Sequence, residues 1–132
     1  MSTSGPIAMR RHPDRTSILS EAHYSKDMAK YYHEDLVSQA LAYLAEGLTD
    51  NHLWHCALIV RYQSSAVMNF DTQWWLEMSK SLKDQISAPY AEYISSLRIN
   101  PIPKYLNWFN IFSFHNAHRD HEYRSVFNRS DP

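Results

Sequence analysis

Glycine is scarce in this chain of 132 residues, which contains only Gly5 and Gly47. Tight β-hairpins and phosphate-binding loops need residues that tolerate positive φ, and glycine adopts such backbone angles at the lowest cost. We therefore expect neither a sheet protein with several hairpins nor the glycine-rich loops of Rossmann and P-loop nucleotide-binding proteins. The scarcity instead favours long helices that are joined by short polar or proline-containing turns.

Cysteine and long apolar runs are also lacking. Because Cys56 is the only cysteine, the chain cannot form an intramolecular disulfide or a cysteine-based zinc site. We expect Cys56 to be a buried small apolar residue rather than a reactive thiol. No run of about 18 apolar residues is present to span a bilayer, and the polar N-terminus shows no signal-peptide pattern. These features predict a protein that is not secreted and is located in the cell or in a particle assembled there.

Charged residues are sorted by position, although the formal net charge is only −1. Residues 1–20 and 98–129 are basic, whereas residues 21–97 are acidic. Basic ends around an acidic middle are typical of a subunit whose ends contact a polyanion or a neighbouring subunit. A near-neutral chain can still coat nucleic acid, because assembly multiplies a few phosphate contacts per subunit. The predicted contacts to DNA or RNA are Arg10, Arg11, Arg15, Lys26 and Lys30.

Apolar residues recur at three- and four-residue spacing, which predicts an all-α fold, an antiparallel bundle of about four helices. The first helix is predicted over about 20–47, with Gly47 just past its end, and the second over about 51–67. The third is predicted from about residue 72 and is broken near Pro89, which lacks a backbone N–H.

Extended basic arms are predicted at both ends of this bundle. The predicted division of the chain is a basic, polar N-terminal arm over 1–19, the helical bundle over 20–114, and a polar, basic C-terminal extension over 115–132. Prolines interrupt the first of these segments and serine, threonine and arginine dominate it, which is typical of an arm rather than of a helix.

Aromatic residues are abundant and concentrated in two places. Trp74 and Trp75 are adjacent, so one helix cannot bury both, and the segment 104–114 is apolar nearly all round. We predict that this segment is a fourth helix packed on several sides, with a strand as the alternative. Tryptophan and tyrosine are enriched at protein interfaces. The residues predicted to mediate self-assembly are Trp74, Tyr105, Trp108, Phe109, Phe112 and Phe114.

No catalytic signature is recognisable. His115 and His118 could share one helix face and are weak candidates for a metal site, but no metalloprotease pattern accompanies them. A polar face whose charge changes with pH is the preferred interpretation. His52 and His55 stand three residues apart, without a nucleophile at a recognisable spacing. We therefore expect neither a metal nor another cofactor, and no enzymatic activity.

The leading hypothesis is a structural, self-assembling subunit that packs helically and contacts nucleic acid through its N-terminal arginines. This plan is similar to that of the coat proteins of filamentous and rod-shaped viruses, a resemblance of architecture without a shared motif. It implies a viral coat protein or nucleoprotein whose partner is a second copy or a co-assembling paralogous subunit. The alternative is a small regulatory or adaptor module that binds one protein partner. A histidine–metal hydrolase is the third hypothesis.

Overall fold

The computed structural model describes residues 5–104, which form four helices and a three-stranded mixed sheet. The strands are β1 (Ile7–Arg11), β2 (Trp54–Arg61) and β3 (Asn100–Pro101). The helices are α1 (Ile18–Ser25), α2 (Leu36–Ala45), α3 (Ser65–Met78) and α4 (Asp84–Ser95), with a short 3₁₀ helix (Ala29–Tyr31) between α1 and α2. The chain divides into two units, Met1–Ile102 and Pro103–Pro132, and these elements belong to the first.

The sheet shows that the predicted all-α fold is wrong, and its central strand lies in the segment predicted to be a free arm. The strand order is β2-β1-β3, with β1 antiparallel to β2 and parallel to β3. Ile7 and Met9 are buried and alternate with the more exposed Ala8 and Arg10, which is the two-residue period of a strand. The five-residue strand contains only two such apolar positions. Because prolines and arginines lie next to them in the sequence, the two-residue period is difficult to recognise there.

The predicted second helix, 51–67, is also wrong, because strand β2 occupies its middle and α3 begins at Ser65. Its apolar residues match helical spacing, but the run is rich in the aromatic and β-branched side chains that strands favour. Asp50, which resembles a cap for that helix, instead caps α1. Its carboxylate accepts hydrogen bonds from the backbone N–H of Ile18 (2.6 Å) and from the hydroxyl of Ser17 (2.8 Å).

The predicted first helix, 20–47, is divided by a second N-cap. Asp35 caps α2 by accepting a hydrogen bond of 3.1 Å from the backbone N–H of Ser38. Gly47 follows the end of α2 with a φ of 109°, so its predicted role as the residue just past a helix end is confirmed.

The predicted break of the third helix lies earlier than expected. Ser64 caps α3, which ends at Met78, and the chain turns over residues 79–83 before α4 begins. In that turn the backbone N–H of Leu82 donates to the carboxylate of Glu34 at 3.0 Å. Pro89 lies inside α4 and does not end it, although it removes one helical hydrogen bond.

The predicted fourth helix, 104–114, and the C-terminal extension, 115–132, lie outside the described residues except for Lys104. The predicted boundary at residue 114 therefore stays a prediction, whereas the predicted boundary at residue 19 falls inside α1. Within residues 5–104, no helix is long and apolar enough to cross a membrane.

Helix α4 lies between two apolar clusters and contributes to both. One cluster packs α1 and α2 against Ile86 and Tyr90 of α4. The other packs the sheet and α3 against Ala88 and Ala91 of the same helix. Because α4 contacts both clusters, its position determines how the sheet and the N-terminal helices are arranged.

A buried ion cluster fixes the turn that leads into α4. The carboxylate of Glu21 in α1 is only 1% exposed. Its Oε1 lies 2.9 Å from Lys83 Nζ and accepts from the Ser25 hydroxyl at 3.1 Å, and its Oε2 accepts from Arg15 Nε. Burial raises the pKa of Glu21, but the hydrogen bonds and positive charges of Lys83 and Arg15 together lower it below its ordinary value. The cluster therefore stabilises the fold in its ionised form.

We predict that Glu21→Gln lowers the free energy of unfolding by about 3 kcal/mol, because it leaves two partly buried cations without their counter-charge. Urea denaturation at neutral pH measures the change. Asp27→Asn, at an exposed position just after α1, is the matched control and should change stability little.

The same pair of proteins tests the pH dependence. A carboxyl with a lowered pKa contributes stability above its unfolded-state pKa, about 4.5, and this is lost as pH falls through the folded-state pKa. The wild-type chain should lose more stability than Glu21→Gln below about pH 4.5. Equal acid sensitivity of the two proteins would contradict the assigned role of Glu21.

Candidate functional site

A β-bulge in β2 opens a groove between the sheet and α3. The register of β1 against β2 moves from Met9 opposite Ile59 to Arg10 opposite His55, so residues 56–58 have no opposite partner in β1. Such an insertion bends the strand and changes the direction of the side chains beside it. Cys56, the first of these unpaired residues, and Ile59, which directly follows them, both line the groove.

We call this depression the tryptophan groove, with a volume of about 600 Å³. Apolar side chains from β2 and α3 form most of its wall, and charged residues lie among them. The lining residues are Cys56, Ile59, Arg61, Asp71, Thr72, Trp74, Trp75, Met78 and Asp84.

The two adjacent tryptophans have different environments. The Trp74 ring packs against Phe70 at a centroid distance of 5.5 Å, and its Nε1 donates to the Ser87 hydroxyl at 3.1 Å. Trp75 is 78% exposed, although it lines the same groove. Trp75 is therefore the more exposed of the two, whereas Trp74, the one predicted to mediate self-assembly, is half-buried.

Opposite charges lie side by side at the groove. Arg61 Nη1 in β2 donates to Asp71 Oδ1 in α3 at 2.5 Å, and both side chains are more than one third exposed. An ion pair this exposed contributes little to folding stability. Its charges therefore remain accessible to a partner that covers the groove.

The thiol of Cys56 is not suited to nucleophilic chemistry. Burial raises the pKa of Cys56 well above its ordinary value, with Asp84 as a further contribution, and so disfavours the thiolate that attacks substrates. Its Sγ lies 3.7 Å from the carbonyl oxygen of Trp54, and no histidine within residues 5–104 is in hydrogen-bond contact with it. Cys56 packs against the apolar cluster of the sheet and α3 as expected, but it is half-buried rather than fully buried.

A second, polar depression lies where β1, β2 and α4 meet, and we call it the arginine pocket. Its volume is about 360 Å³. A shallow neighbouring depression of about 340 Å³ shares Asn51, His52, Glu92 and Arg98 with it. The pocket is lined by Arg11, Asn51, His52, Trp54, Glu92, Arg98, Ile99 and Pro101.

Glu92 organises the polar side chains of the arginine pocket. Its Oε1 lies 3.1 Å from His52 Nε2, and its Oε2 accepts from Trp54 Nε1 at 2.9 Å. The other ring nitrogen of His52, Nδ1, lies 2.7 Å from Asn51 Oδ1. Both nitrogens of His52 are therefore engaged, and neither is directed at the open pocket as a general base would be. This arrangement favours binding rather than proton transfer.

The structure separates the five residues that were predicted to contact nucleic acid. Arg11 lines the arginine pocket, whereas Arg15 is bound internally to Glu21. Arg10 is half-buried in β1, where burial and then the charge of Arg10 lower the pKa of His55. Lys26 and Lys30 are exposed near the end of α1, with Lys30 Nζ lying 4.8 Å from the ring centre of Tyr31. The five side chains therefore have different environments, and their shared role in nucleic-acid binding stays a prediction.

Most residues predicted for self-assembly or metal binding cannot be placed. Trp74 is half-buried at the tryptophan groove. The predicted residues that lie outside the described part of the chain are Tyr105, Trp108, Phe109, Phe112, Phe114, His115 and His118. Within residues 5–104, no group of three or more histidine, cysteine, aspartate or glutamate side chains is arranged to hold a metal ion.

Sequence patterns missed the residues that complete both depressions. Arg98 and Glu92 are distant in sequence from Arg11 and His52, and only the fold brings them together. The basic character of residues 98–129 pointed to Arg98 only as part of a charged segment. Trp75 carried a usable signal, because its position next to Trp74 required one of the two to face outward.

Comparisons with known proteins assign no family to this chain. No protein-family model matches it, no curated protein matches its sequence, and no solved structure matches its fold. The geometry of the two depressions is therefore the basis on which a function can be proposed.

We predict that Cys56 in the folded protein reacts with iodoacetamide at pH 8 at least about tenfold more slowly than in the chain unfolded by guanidinium, because its raised pKa suppresses the thiolate. Intact-protein mass at successive times measures the reaction. Since Cys56 is the only cysteine, each added group reports this site. Equal rates in the two states would support a reactive thiol in the groove.

Proposed function

We propose that this protein is a non-enzymatic structural subunit that self-associates through the tryptophan groove. The observation that carries the proposal is Trp75, a large aromatic side chain that is 78% exposed at the mouth of an apolar groove. Tryptophan is among the residues that contribute most to binding energy at protein interfaces. If the Trp75 side chain stays in water, it contributes no binding free energy. If it is buried by a partner, it contributes to the stability of the complex.

The exposed face of α3 extends the apolar surface beyond the groove. Met68 and Leu76 are 54% and 55% exposed. With Thr72 and Trp75 they follow the spacing i, i+4, i+7 and i+8, which places all four on one side of the helix. Monomeric proteins rarely expose apolar patches that are contiguous and large, and such patches mark interaction surfaces.

The charges at the groove favour a second copy of this chain as the partner. A two-fold interface brings the same patch of both subunits together, so each charge must find its complement in that patch. Arg61 and Asp71 supply one cation and one anion there. In a two-fold pair, the ion pair between Arg61 and Asp71 within each copy can be replaced by two ion pairs between the copies. A patch of a single sign would repel its own copy.

The environments of the reactive side chains support a non-enzymatic role. Both ring nitrogens of His52 are engaged by neighbouring side chains, and burial keeps Cys56 protonated. Neither residue is prepared to accept a proton from a substrate or to attack one. The viral coat protein hypothesis stays a prediction, but its architectural resemblance depended on an all-helical bundle with an N-terminal arm, and Ile7–Arg11 of that arm form a strand.

An adaptor module that binds a different protein is the second candidate, favoured by the same exposed side chain of Trp75. This alternative predicts that the protein alone stays monomeric at concentrations where a self-associating subunit forms dimers or larger assemblies. Sedimentation velocity over a concentration series separates the two candidates.

We predict that Trp75→Ala weakens self-association at least about tenfold, because it removes a central aromatic contact. Sedimentation velocity on wild type and variant measures the change in dissociation constant. Tyr32→Ala is the matched control, since Tyr32 is 77% exposed and does not line the tryptophan groove, and it should associate like wild type. A wild-type protein that remains monomeric, or equal effects of the two substitutions, would overturn the proposal.

A further inference from the structure

The arginine pocket brings together two guanidinium groups from distant parts of the chain. Arg11 is the last residue of β1, and Arg98 lies between α4 and β3. Both side chains are exposed. Among the residues that the structure describes, neither forms an ion pair with a carboxylate. Both guanidinium groups are therefore available to a ligand in the pocket.

Glu92 is the only carboxylate among residues 5–104 that lines the pocket, and it is committed to other partners. The two oxygens of Glu92 already accept from Trp54 Nε1 and contact His52 Nε2. Two arginines accompany this one carboxylate, so the pocket carries an excess of positive charge. The electrostatics consequently favour an anionic ligand over a cationic or neutral one.

Trp54 holds one of the arginines in place. The tryptophan is buried, and Arg11 Cζ lies 5.3 Å from the centre of its ring. A guanidinium that lies over an aromatic face is oriented by it, while the N–H donors at its edge remain free to bind oxygen atoms. Less side-chain entropy is then lost when a ligand binds.

We infer that the arginine pocket is a binding site for a phosphate group. The planar forks of Arg11 and Arg98 match the oxygen atoms of a phosphate, which each guanidinium can hold by two hydrogen bonds. The volume of about 360 Å³ is larger than a bare phosphate needs. The neighbouring depression, lined in part by Tyr93, can hold the organic group that carries the phosphate. An exposed aromatic ring there offers a stacking surface for a base.

This site is independent of the proposed self-association. The arginine pocket and the tryptophan groove share no lining residue. A variant that loses phosphate binding should still self-associate. A variant that loses self-association should still bind phosphate in the arginine pocket. The two proposals can therefore fail separately.

The direct test titrates the full chain with inorganic phosphate and follows the NMR signal of the Trp54 indole N–H. That N–H donates to Glu92 at the pocket, and Trp54→Phe assigns its signal among the four tryptophans. Sodium chloride at matched ionic strength controls for general salt effects. We expect a saturable shift with phosphate and no saturable shift with chloride.

Two variants and one control variant at a neighbouring residue test which arginines bind phosphate. Arg11→Gln and Arg98→Gln should each weaken phosphate binding at least about fivefold, because each removes a charge-assisted pair of hydrogen bonds. Arg10→Gln is the matched control, since Arg10 precedes Arg11 in β1 but does not line the pocket. Arg98 lies outside every helix and strand, so Arg98→Gln tests binding without disturbing them. Absence of a saturable shift, or unchanged affinity in Arg98→Gln, would overturn the inference.

The source of the phosphate is determined with two further ligands. Ribose 5-phosphate represents a small phosphorylated molecule, and a short single-stranded oligonucleotide represents nucleic acid. Tighter binding of the oligonucleotide, with an affinity that falls as salt rises, would identify a nucleic acid backbone as the source. Tighter binding of ribose 5-phosphate would identify a small molecule. Either result supports phosphate recognition, provided that Arg98→Gln weakens it.

Discussion

The buried carboxylate of Glu21 connects the segment before α1 to the turn that leads into α4. It binds Arg15, which lies between β1 and α1, and Lys83, which lies in the turn between α3 and α4. A buried carboxylate is costly to remove from water unless cations and hydrogen bonds compensate for the lost hydration. Here two cations and the Ser25 hydroxyl surround it. Glu21 therefore constrains the position of the turn between α3 and α4.

Both candidate surfaces depend on that constraint, because each combines β2 with one of the two helices that the turn joins. Helix α3 contributes Trp75 to the tryptophan groove, and α4 contributes Glu92 to the arginine pocket. Glu34 stabilises the turn, because its carboxylate accepts a hydrogen bond from the backbone N–H of Leu82. The bulge in β2 then determines which side chains of the strand face α3. A shift of the turn would alter the groove and the pocket together.

Local signals in the sequence predicted local features, whereas the sheet depended on pairing that those signals do not contain. The end of α2 at Gly47 and the unequal burial of Trp74 and Trp75 could be predicted from glycine chemistry and helical geometry. Strand β1 could not, because Ile7 and Met9 are too few to show a period without knowledge of β2. The apolar residues of β2 fit helix and strand equally well, and only burial against β1 and α4 selects the strand. The arginine pocket likewise required Arg11 and Arg98 to be brought together by tertiary structure.

Reciprocal charge exchange at the tryptophan groove tests self-association through a two-fold interface most directly. Arg61→Asp alone places two acids opposite each other in a two-fold pair, and Asp71→Arg alone places two cations opposite each other, so each variant should associate more weakly than wild type. An equimolar mixture of the two variants restores both opposite-charge pairs between subunits. The predicted result is that the mixture forms a heterodimer in sedimentation velocity while each variant alone stays monomeric. A mixture that associates no better than its components would contradict the two-fold interface.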